Sequence, residues 1–378
     1  MNNKLVMEST IEAKYAISKY KNINGVTCYM NSILAILQQT PVFVDYIVTG
    51  MFKQSLLYNL NHENDVIKNS ISYQLYRVLR TSMENDNSCI TPTSLRRALS
   101  KKDSIWGEHQ HQDSQEFLNF LISKLEEEVS SQVIFIPGGF TKEYDMTTSN
   151  SLINILANNE WVKFVKNEYS PIKTLFTGLN QTSLKCKYCN NISNSFEISQ
   201  LLTLSIPIKN KAVDLQKQFT LEDCLDQYSE EEVLDKNNKV MCDFCMRKNQ
   251  SSKKNSLWRT PKILIIQLKR FLINQYGIPT QKLFNMIEYP IENLDMSKYI
   301  NQSSPFKEKY KYNLFAVNCH HSFGTFNTIN FGHYTSSIKS RYDNKWYKFD
   351  DSQPIMELVN RNSIVNKDAY LLFYYRTN

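Results

Sequence analysis

Apolar positions in the first third of the chain recur with helical spacing. After Tyr29, an i, i+3, i+4, i+7 pattern predicts a helix that ends before Pro41. A second helix should begin after Asp113, because Asp113 with Glu116 three positions later resembles a capping box. The apolar faces of these helices comprise Met30, Ile33, Leu34 and Leu37 in the first, and Phe117, Leu118, Leu121, Ile122 and Leu125 in the second.

Past Leu175 the pattern changes to short apolar runs that are typical of β-strands. These runs occupy residues 201–208, 262–268, 313–317 and 369–375. A helix-rich first part followed by a strand-rich second part predicts an α+β fold rather than alternating βαβ units.

The composition is that of a globular chain, with 42% hydrophobic and 21% charged residues among 378. Such a chain can bury a large core without disulfides. The net charge of +7 is moderate for this length. We interpret the densest basic stretch as a solvated loop and, because no nucleic-acid-binding module accompanies it, we expect no nucleic-acid partner. The stretch comprises Arg247, Lys248, Lys253 and Lys254.

The N-terminal segment lacks the apolar core of a signal peptide. The longest apolar run, around Ile263 to Leu268, is interrupted by Gln267 and is much shorter than the roughly 18 residues of a membrane span. We therefore expect an intracellular protein, cytoplasmic or nuclear, with no membrane association. In that compartment its eight cysteines should be reduced.

Four cysteines form two C-x-x-C pairs, Cys186 with Cys189 and Cys242 with Cys245. Each pair can chelate Zn²⁺, and four thiolates complete a closed, tetrahedral structural site. The inner cysteines are 53 positions apart, so we expect a β-hairpin or strand pair to connect the two pairs. One structural zinc per chain is the prediction; a redox pair or packing cysteines are the alternatives. The other cysteines without a neighbour at ligand spacing are expected to be inert, and these are Cys89, Cys224 and Cys319.

Cys28 stands immediately before the first predicted helix. A thiol reacts as the thiolate, and the partial positive charge and unpaired N–H groups of a helix N-terminus favour that form. The same N–H groups suit the oxyanion of an acyl-transfer intermediate. The alternative is a small apolar residue at a helix start, and this motif alone does not separate the two.

A second segment favours the catalytic interpretation. Residues 332–340 read as a strand that begins near His333, and the run 346–352, which contains Asp350, follows after a short turn. Adjacent antiparallel strands would bring the two side chains together, so that the carboxylate orients the imidazole that takes the thiol proton. A histidine beside a glycine is more often structural, but the set of Cys28, His333 and Asp350 favours a nucleophilic site.

Five blocks of the chain resemble the ubiquitin-specific protease family, a papain-like group of cysteine peptidases. They occur in the order that the family has, and the resemblance spans residues 20 to 376. The blocks are TCYMNS around Cys28, QDSQEFL at 112–118, PKILIIQLKRF at 261–271, GHY at 332–334 with WYKFDD at 346–351, and AYLLFYYR at 369–376.

The resemblance implies roles for individual residues. Cys28 would be the nucleophile, His333 the general base and later the general acid, and Asp350 the residue that orients the imidazole. Asp351 is a second candidate for that orienting role.

The chain departs from the family at the oxyanion site. The family has an asparagine five residues before the cysteine, whereas this chain has Ile23, whose side chain cannot donate a hydrogen bond. Either Asn22 or Asn24 replaces it, or backbone N–H groups carry more of the role. Losing one such donor costs ~10²–10³ in rate, so low activity is one possible consequence.

The resemblance also implies a grip on the substrate. Asp113 and Gln115 would hold the basic, extended C-terminal tail of ubiquitin, although Asp113 can also serve as a helix N-cap. His321 falls in a stretch that the family places beside the cleft; His320 and His321 as ordinary loop residues are the alternative. Tyr334 is a candidate for an aromatic wall of the channel.

The predicted architecture is a papain-like cysteine protease fold of the α+β class. A helical thumb (about 19–150), zinc-bearing fingers (about 175–260) and a β-rich palm (about 261–376) follow an extension of residues 1–18. We expect a monomer that hydrolyses the bond after the C-terminal Gly–Gly of ubiquitin or a ubiquitin-like modifier, with ubiquitin and ubiquitinated proteins as partners. Two alternatives stay open: a weak or inactive ubiquitin-binding module, and a nucleic-acid-binding scaffold built on the zinc knuckles.

Overall fold

The computed structural model describes residues 17–61, 64–85, 88–131, 149–166, 169–208, 217–235, 237–274, 276, 279–306, 310–322 and 332–377. The helices are α1 Cys28–Leu37, α2 Phe43–Val48, α3 Lys53–Asn59, α4 Asn64–Asn69, α5 Ile71–Glu84, α6 Thr93–Lys102, α7 Ser114–Val129, α8 Ser149–Lys166, α9 Pro171–Phe176, α10 Leu221–Ser229 and α11 Arg361–Ile364. Short 3₁₀ turns lie at Ile23–Gly25, Ser104–Gly107 and Ser297–Tyr299.

The strands concentrate in the second half of the chain. They are β1 Lys19–Tyr20, β2 Cys89–Ile90, β3 Gly178–Cys186, β4 Ile192–Ser199, β5 Leu202–Ser205, β6 Phe219–Thr220, β7 Glu232–Val233, β8 Val240–Cys242, β9 Arg247–Asn249, β10 Ser251–Arg259, β11 Ile263–Lys269, β12 Phe271–Ile273, β13 Pro279–Lys282, β14 Ile287–Glu288, β15 Leu294–Asp295, β16 Lys311–Ser322, β17 Gly332–Lys339, β18 Trp346–Phe349, β19 Met356–Glu357 and β20 Ala369–Arg376.

The two predicted helices are confirmed as α1 and α7. Helix α1 begins at Cys28 and ends before Pro41, and each of its residues is buried. Helix α7 begins after Asp113, whose side chain accepts from the backbone N–H of Gln115 at 2.5 Å and of Glu116 at 3.4 Å. These bonds satisfy donors that have no partner within the helix, which is why α7 starts there.

The main sheet has the strand order β19-β18-β17-β16-β20-β11-β5, with β15 also paired to β16. Alternate side chains of its strands enter two different cores, as the period of two along a strand requires. In β11, Ile263 and Ile265 pack with the helical part that includes α1 and α7. Leu264 and Ile266 pack on the opposite face, together with α10. The sheet is therefore covered on both faces, and α1 lies against β17 and β16.

A second sheet, with the order β4-β3-β10-β7, carries the first C-x-x-C pair, and a separate two-stranded sheet of β8 and β9 carries the second. Cys186 ends β3, and Cys189 lies in the turn to β4. Cys242 ends β8, and Cys245 lies in the turn to β9. The connection is longer than the predicted β-hairpin or strand pair, because the chain between the C-x-x-C pairs also forms β5 in the main sheet and helix α10.

Two predicted loops are strands in the structure. The basic stretch that begins at Arg247 forms β9 and part of β10, so its interpretation as a loop is wrong. His320 and His321 lie in β16, which extends to Ser322, so the loop alternative for them is wrong as well. In both places polar residues occupy strand positions. Most residues of β9 are exposed, and the end of β16 pairs with the polar segment of β17 that contains His333.

The α+β class is confirmed. Of the predicted extension, residues 1–16 lie outside the described residues; Ser18 is buried and its hydroxyl donates to the Ser82 carbonyl at 3.1 Å. No helix within the described ranges is long and apolar enough to cross a membrane.

Candidate active site and metal centre

Cys28 occupies the first position of α1 and is 1% exposed. The chain enters this helix through the 3₁₀ turn at Ile23–Gly25, in which Asn24 has a φ of 55° and Gly25 a φ of 73°. Left-handed backbone of this kind suits asparagine and glycine, and it lets the chain reverse just before the helix. The turn therefore presents the sulfur at a helix N-terminus, where the helix dipole favours negative charge.

His333 lies one residue into β17, and its Nε2 is 2.6 Å from Oδ1 of Asp350. Asp350 directly follows β18, the antiparallel neighbour of β17, so the predicted hairpin brings the two together. The hydrogen bond with Asp350 and a hydrogen bond with Cys28 raise the pKa of His333 to about 10, against the opposing effect of burial. The bond with His333 in turn lowers the pKa of Asp350. The structure thus brings Cys28, His333 and Asp350 together.

Asp351 makes different contacts from its neighbour. Its Oδ2 accepts from Asn22 Nδ2 at 2.8 Å, and its Oδ1 accepts from Asn31 Nδ2 at 2.8 Å. Burial raises its pKa, while these two amide bonds oppose that effect. Asp350, rather than Asp351, therefore contacts the imidazole, and Asp351 anchors two asparagines that flank Cys28 in the sequence.

The three oxyanion candidates have different surroundings. Asn22 Oδ1 accepts from the backbone N–H of Thr27 at 2.8 Å, so the Asn22 amide lies against the residue that precedes Cys28. Asn24 is exposed, and its Nδ2 lies 2.9 Å from His109 Nδ1. The backbone N–H of Ile23 donates to the Thr27 hydroxyl at 2.8 Å. Of the two asparagines, only Asn22 is tied to the start of α1.

Asp113 is buried, with 7% exposure, and both of its oxygens accept hydrogen bonds. Oδ1 caps α7, and Oδ2 accepts from the hydroxyl of Tyr370 at 2.8 Å. Burial raises the pKa of Asp113 to about 6, even though these bonds favour the carboxylate. Gln115, one position into the helix, is half-buried, and its Oε1 accepts from Gln267 Nε2 at 3.3 Å.

His321 is the ladder partner of His333 across β16 and β17. Its Nδ1 lies 3.2 Å from Asp368 Oδ2, and its Nε2 lies 2.8 Å from Thr335 Oγ1. Tyr334 is only 3% exposed, with its ring 4.8 Å from the His320 ring. His321 therefore borders the triad, whereas Tyr334 packs beneath it.

The four C-x-x-C cysteines converge. Their sulfurs all lie within 4.8 Å of one another, with 4.0 Å between Cys186 and Cys245 and 3.7 Å between Cys189 and Cys242. Zn–S bonds of ~2.3 Å in a tetrahedron place the sulfurs ~3.8 Å apart, so these residues fit a Zn²⁺ ion. Cys89, Cys224 and Cys319 lie elsewhere: Cys89 is exposed, and the other two are buried.

Sequence reasoning missed Asn31, Tyr370 and Asp368 as members of the site. Asn31 lies within the TCYMNS block, three positions after Cys28, so helical spacing could have placed it near the start of α1. Tyr370 lies within the AYLLFYYR block, but nothing in that block indicates its contact with Asp113, 257 positions earlier. Asp368, which contacts His321, carries no local signal.

A cysteine at a helix start that meets a histidine–carboxylate pair on a sheet is the arrangement of papain-like cysteine peptidases. The comparisons with known proteins agree. The family model "Ubiquitin carboxyl-terminal hydrolase" matches residues 20–374. The chain belongs to the ubiquitin carboxyl-terminal hydrolase family.

Individual relatives cover nearly the whole chain. Ubiquitin carboxyl-terminal hydrolase 2 of Bos taurus is 30% identical over 350 residues, which are 93% of this chain and 54% of that protein. The chain thus spans about half the length of that relative. The probable ubiquitin carboxyl-terminal hydrolase R319 of Acanthamoeba polyphaga mimivirus is 27% identical over 432 residues, covering 94% of this chain and 89% of that protein.

The fold is that of a solved relative. The structure of the SAGA Ubp8/Sgf11/Sus1/Sgf73 DUB module bound to ubiquitin aldehyde aligns with a TM-score of 0.69 at 23% identity. The alignment covers 98% of this chain and 72% of that chain. This likeness confirms the papain-like α+β fold of ubiquitin-specific proteases.

Proposed function

We propose that this chain is a cysteine-type deubiquitinating peptidase. It hydrolyses the peptide or isopeptide bond that follows the C-terminal Gly–Gly of ubiquitin or a ubiquitin-like modifier. The observation that carries this proposal is the contact of His333 with both Asp350 and Cys28, at 2.6 Å for the carboxylate. Membership of the family supplies the substrate class.

The reaction follows from this geometry. Asp350 engages Nε2 of His333, and the raised pKa of the imidazole lets its other ring nitrogen take and hold the proton of the Cys28 thiol, so that Cys28 attacks as the thiolate. The thiolate attacks the carbonyl carbon after Gly–Gly, and the electron pair of the C=O bond moves to oxygen. His333 then gives its proton to the leaving amine, and a thioester remains on Cys28. Water attacks that thioester with His333 again as base, which releases the modifier's carboxylate and the thiol.

Asn22 and the first N–H groups of α1 stabilise the oxyanion in this mechanism. The Asn22 amide carries two N–H groups, and Asp351 engages one of them. Because the Asn22 amide lies against Thr27, whereas Asn24 pairs with His109, Asn22 is the better candidate for the oxyanion donor. Ile23 therefore gives no support to an inactive binding module, because a neighbouring residue can supply the donor.

The substrate tail meets the cleft at Gln115, His321 and Asp113. Oδ1 of Asp113 already accepts two N–H groups of α7, but Oδ2 accepts only from Tyr370 and has a second lone pair, so a contact of Oδ2 with a basic tail is compatible with the cap. Tyr334 is buried, and it would shape the channel from below rather than line it. Ubiquitin and ubiquitinated proteins are the proposed partners, and the chain acts as a monomer.

Zinc has a structural role in this proposal. One Zn²⁺ held by Cys186, Cys189, Cys242 and Cys245 joins the β3–β4 turn to the β8–β9 hairpin. The ion lies among strands of the predicted fingers and takes no part in the chemistry. Reduced cysteines suit the cytoplasm or nucleus, which we propose as the place of action.

A ubiquitin probe with an electrophile at its C-terminus tests the proposal. We expect covalent labelling of the wild-type chain at Cys28, and none in Cys28→Ala. Cys89→Ala is the matched control, because Cys89 is exposed and lies outside the site; its labelling should be unchanged. A chain that binds ubiquitin without labelling would support the inactive module, and salt-sensitive binding of RNA or DNA without labelling would support the nucleic-acid scaffold.

A further inference from the structure

A buried polar bridge connects the main sheet to the starts of two helices. Asn318, in β16, is completely buried. Its Oδ1 accepts from the Ser114 hydroxyl at 2.7 Å, and its Nδ2 donates to the Ser32 hydroxyl oxygen at 2.9 Å. Ser114 is the first residue of α7, and Ser32 lies one turn after Cys28 in α1.

The hydrogen bonds of this bridge all run in one direction, from donor to acceptor. The Ser32 hydroxyl donates onward to the carbonyl of Tyr29 at 3.1 Å, so the chain of donors runs from Ser114 through the Asn318 amide to the first turn of α1. Each hydroxyl has one proton, and both ends of the amide are used. Aligned hydrogen bonds in a low-dielectric interior polarise one another, which favours a single arrangement.

Asn31 of α1 also donates to Asp351 and to the Tyr20 carbonyl, but the remaining contacts of α1 are largely apolar, and apolar burial has no preferred direction. Such contacts define the position of α1 along the sheet less sharply than a hydrogen bond does, because a hydrogen bond fails beyond ~3.5 Å or at a poor angle. Asn318 also belongs to the strand that pairs with β17, three ladder positions from the pair of His321 and His333. The bridge therefore ties the Cys28 helix to the strand pair that carries His333.

We infer that Asn318 is a positioning residue for the catalytic pair, and that its amide sets the place of Cys28 relative to His333 by holding Ser32 and Ser114 to the sheet. This inference rests on the proposed function only in taking Cys28 and His333 as the reacting pair. A misplacement of about 1 Å at a reacting centre can cost ~100-fold in rate, so a small shift of α1 is sufficient to matter.

The test follows the reaction of Cys28 with iodoacetamide at pH 7, with peptide mass spectrometry reporting each cysteine. This readout needs no ubiquitin. Exposed Cys89 serves as an internal reference whose rate should stay constant. In Asn318→Leu the new side chain has a similar volume, but Ser32 and Ser114 lose the amide of Asn318 as their partner. We expect the rate of alkylation at Cys28 to fall about tenfold and the urea midpoint of unfolding to fall as well.

A second variant separates position from stability. The triple variant S32A/S114A/N318L removes every polar member of the bridge, so no buried group is left unpaired and the urea midpoint should recover. The rate at Cys28 should nevertheless stay low, because the bond from Asn31 to Asp351 then holds the start of α1 without the contribution of Asn318. Tyr312→Phe is the control: it removes buried hydrogen bonds from Tyr312 in the same strand to Thr260 and Pro261, and it should lower the midpoint without changing the rate at Cys28.

Two outcomes would overturn the inference. One is an unchanged rate at Cys28 in Asn318→Leu, and the other is recovery of that rate in the triple variant. If Asn318→Leu does not fold, the less disruptive variant Ser32→Ala is used instead. An unchanged rate of alkylation at Cys28 in Ser32→Ala would also overturn the inference. A wild-type chain with a fast-reacting Cys28 that fails to cleave a ubiquitin substrate would contradict the proposed function and leave this inference intact.

Discussion

Nε2 of His333 lies 2.6 Å from Oδ1 of Asp350. The same carboxylate has a second partner, because its Oδ2 is 3.3 Å from Nζ of Lys348. One side chain thus orients the imidazole and lies within reach of a lysine, whereas the next residue, Asp351, binds Asn22 and Asn31 instead. The two adjacent aspartates therefore have different roles, and substitutions at each position can distinguish these roles.

Asp350→Asn should lower kcat by about 10³–10⁴ while leaving KM within a few-fold, because an amide can hold the imidazole in the wrong tautomer. Steady-state hydrolysis of a ubiquitin C-terminal amide substrate measures this. Lys348→Ala is the matched control: it removes the other partner of Asp350, and its side chain is 32% exposed. Exposed ion pairs contribute little, so its kcat should change by no more than about threefold. Equal losses in both variants would contradict the orienting role.

Asn22→Ala should lower kcat by ~10²–10³, as expected when one oxyanion donor is lost. Asn24→Ala should stay near the wild-type rate, because the Asn24 amide pairs with His109 at an exposed position. The same hydrolysis assay compares the two variants. Asn22 also accepts from the N–H of Thr27, so a stability loss of about 1 kcal/mol should accompany its removal. A larger kinetic effect of Asn24→Ala would reverse the assignment.

Asp113 should give the chain an unusual dependence of stability on pH. Burial raises its pKa from 3.8 to about 6, so the folded state holds the proton more tightly than the unfolded state does. The resulting stabilisation is present below pH ~3.8 and is lost as the pH rises through about 6. The uncharged Asp113→Asn lacks this dependence. Relative to that variant, the free energy of unfolding of the wild type should fall by up to roughly 3 kcal/mol between these pH values.

Urea unfolding of both proteins at pH 4, 5, 6 and 7 measures this difference. Gln115→Ala is the control, because Gln115 lies at the same helix start and carries no titratable group; its difference from the wild type should vary little with pH. A wild-type curve that rises relative to Asp113→Asn over this range would show that the carboxylate is favoured in the folded state.

The Cys186→Ser, Cys242→Ser double variant should lose zinc. Elemental analysis should find about one zinc per wild-type chain and none in the variant, because serine does not replace a thiolate ligand. The melting temperature should fall, since the ion joins two turns that are far apart in sequence. Cys224→Ser alters a buried cysteine that lies outside the cluster, and it should keep its zinc even if it is less stable. Unchanged stability after zinc removal would contradict a structural role.

Much of this fold could be predicted from short-range patterns. The helical spacing after Tyr29 located α1, and the turn between residues 340 and 346 located the β17–β18 pair. The basic segment from Arg247 was misjudged for a physical reason. Arg247 and Lys248 of β9 are both exposed, so polar residues occupy consecutive positions and no apolar alternation marks this strand.

The sequence by itself determined the chemistry that is available: a cysteine at a helix start, a histidine and an aspartate on one hairpin, and two C-x-x-C pairs. Each of these is a local arrangement, so backbone geometry over a few residues is sufficient to predict it. Only the tertiary structure decided which aspartate faces the imidazole and which asparagine lies against the Cys28 turn. It also decided that Asn318 joins Ser32 and Ser114. Those contacts bridge up to about 330 positions, as for Asn22 with Asp351, and their partners are chosen by how the helices pack on the sheet rather than by any neighbour in the chain.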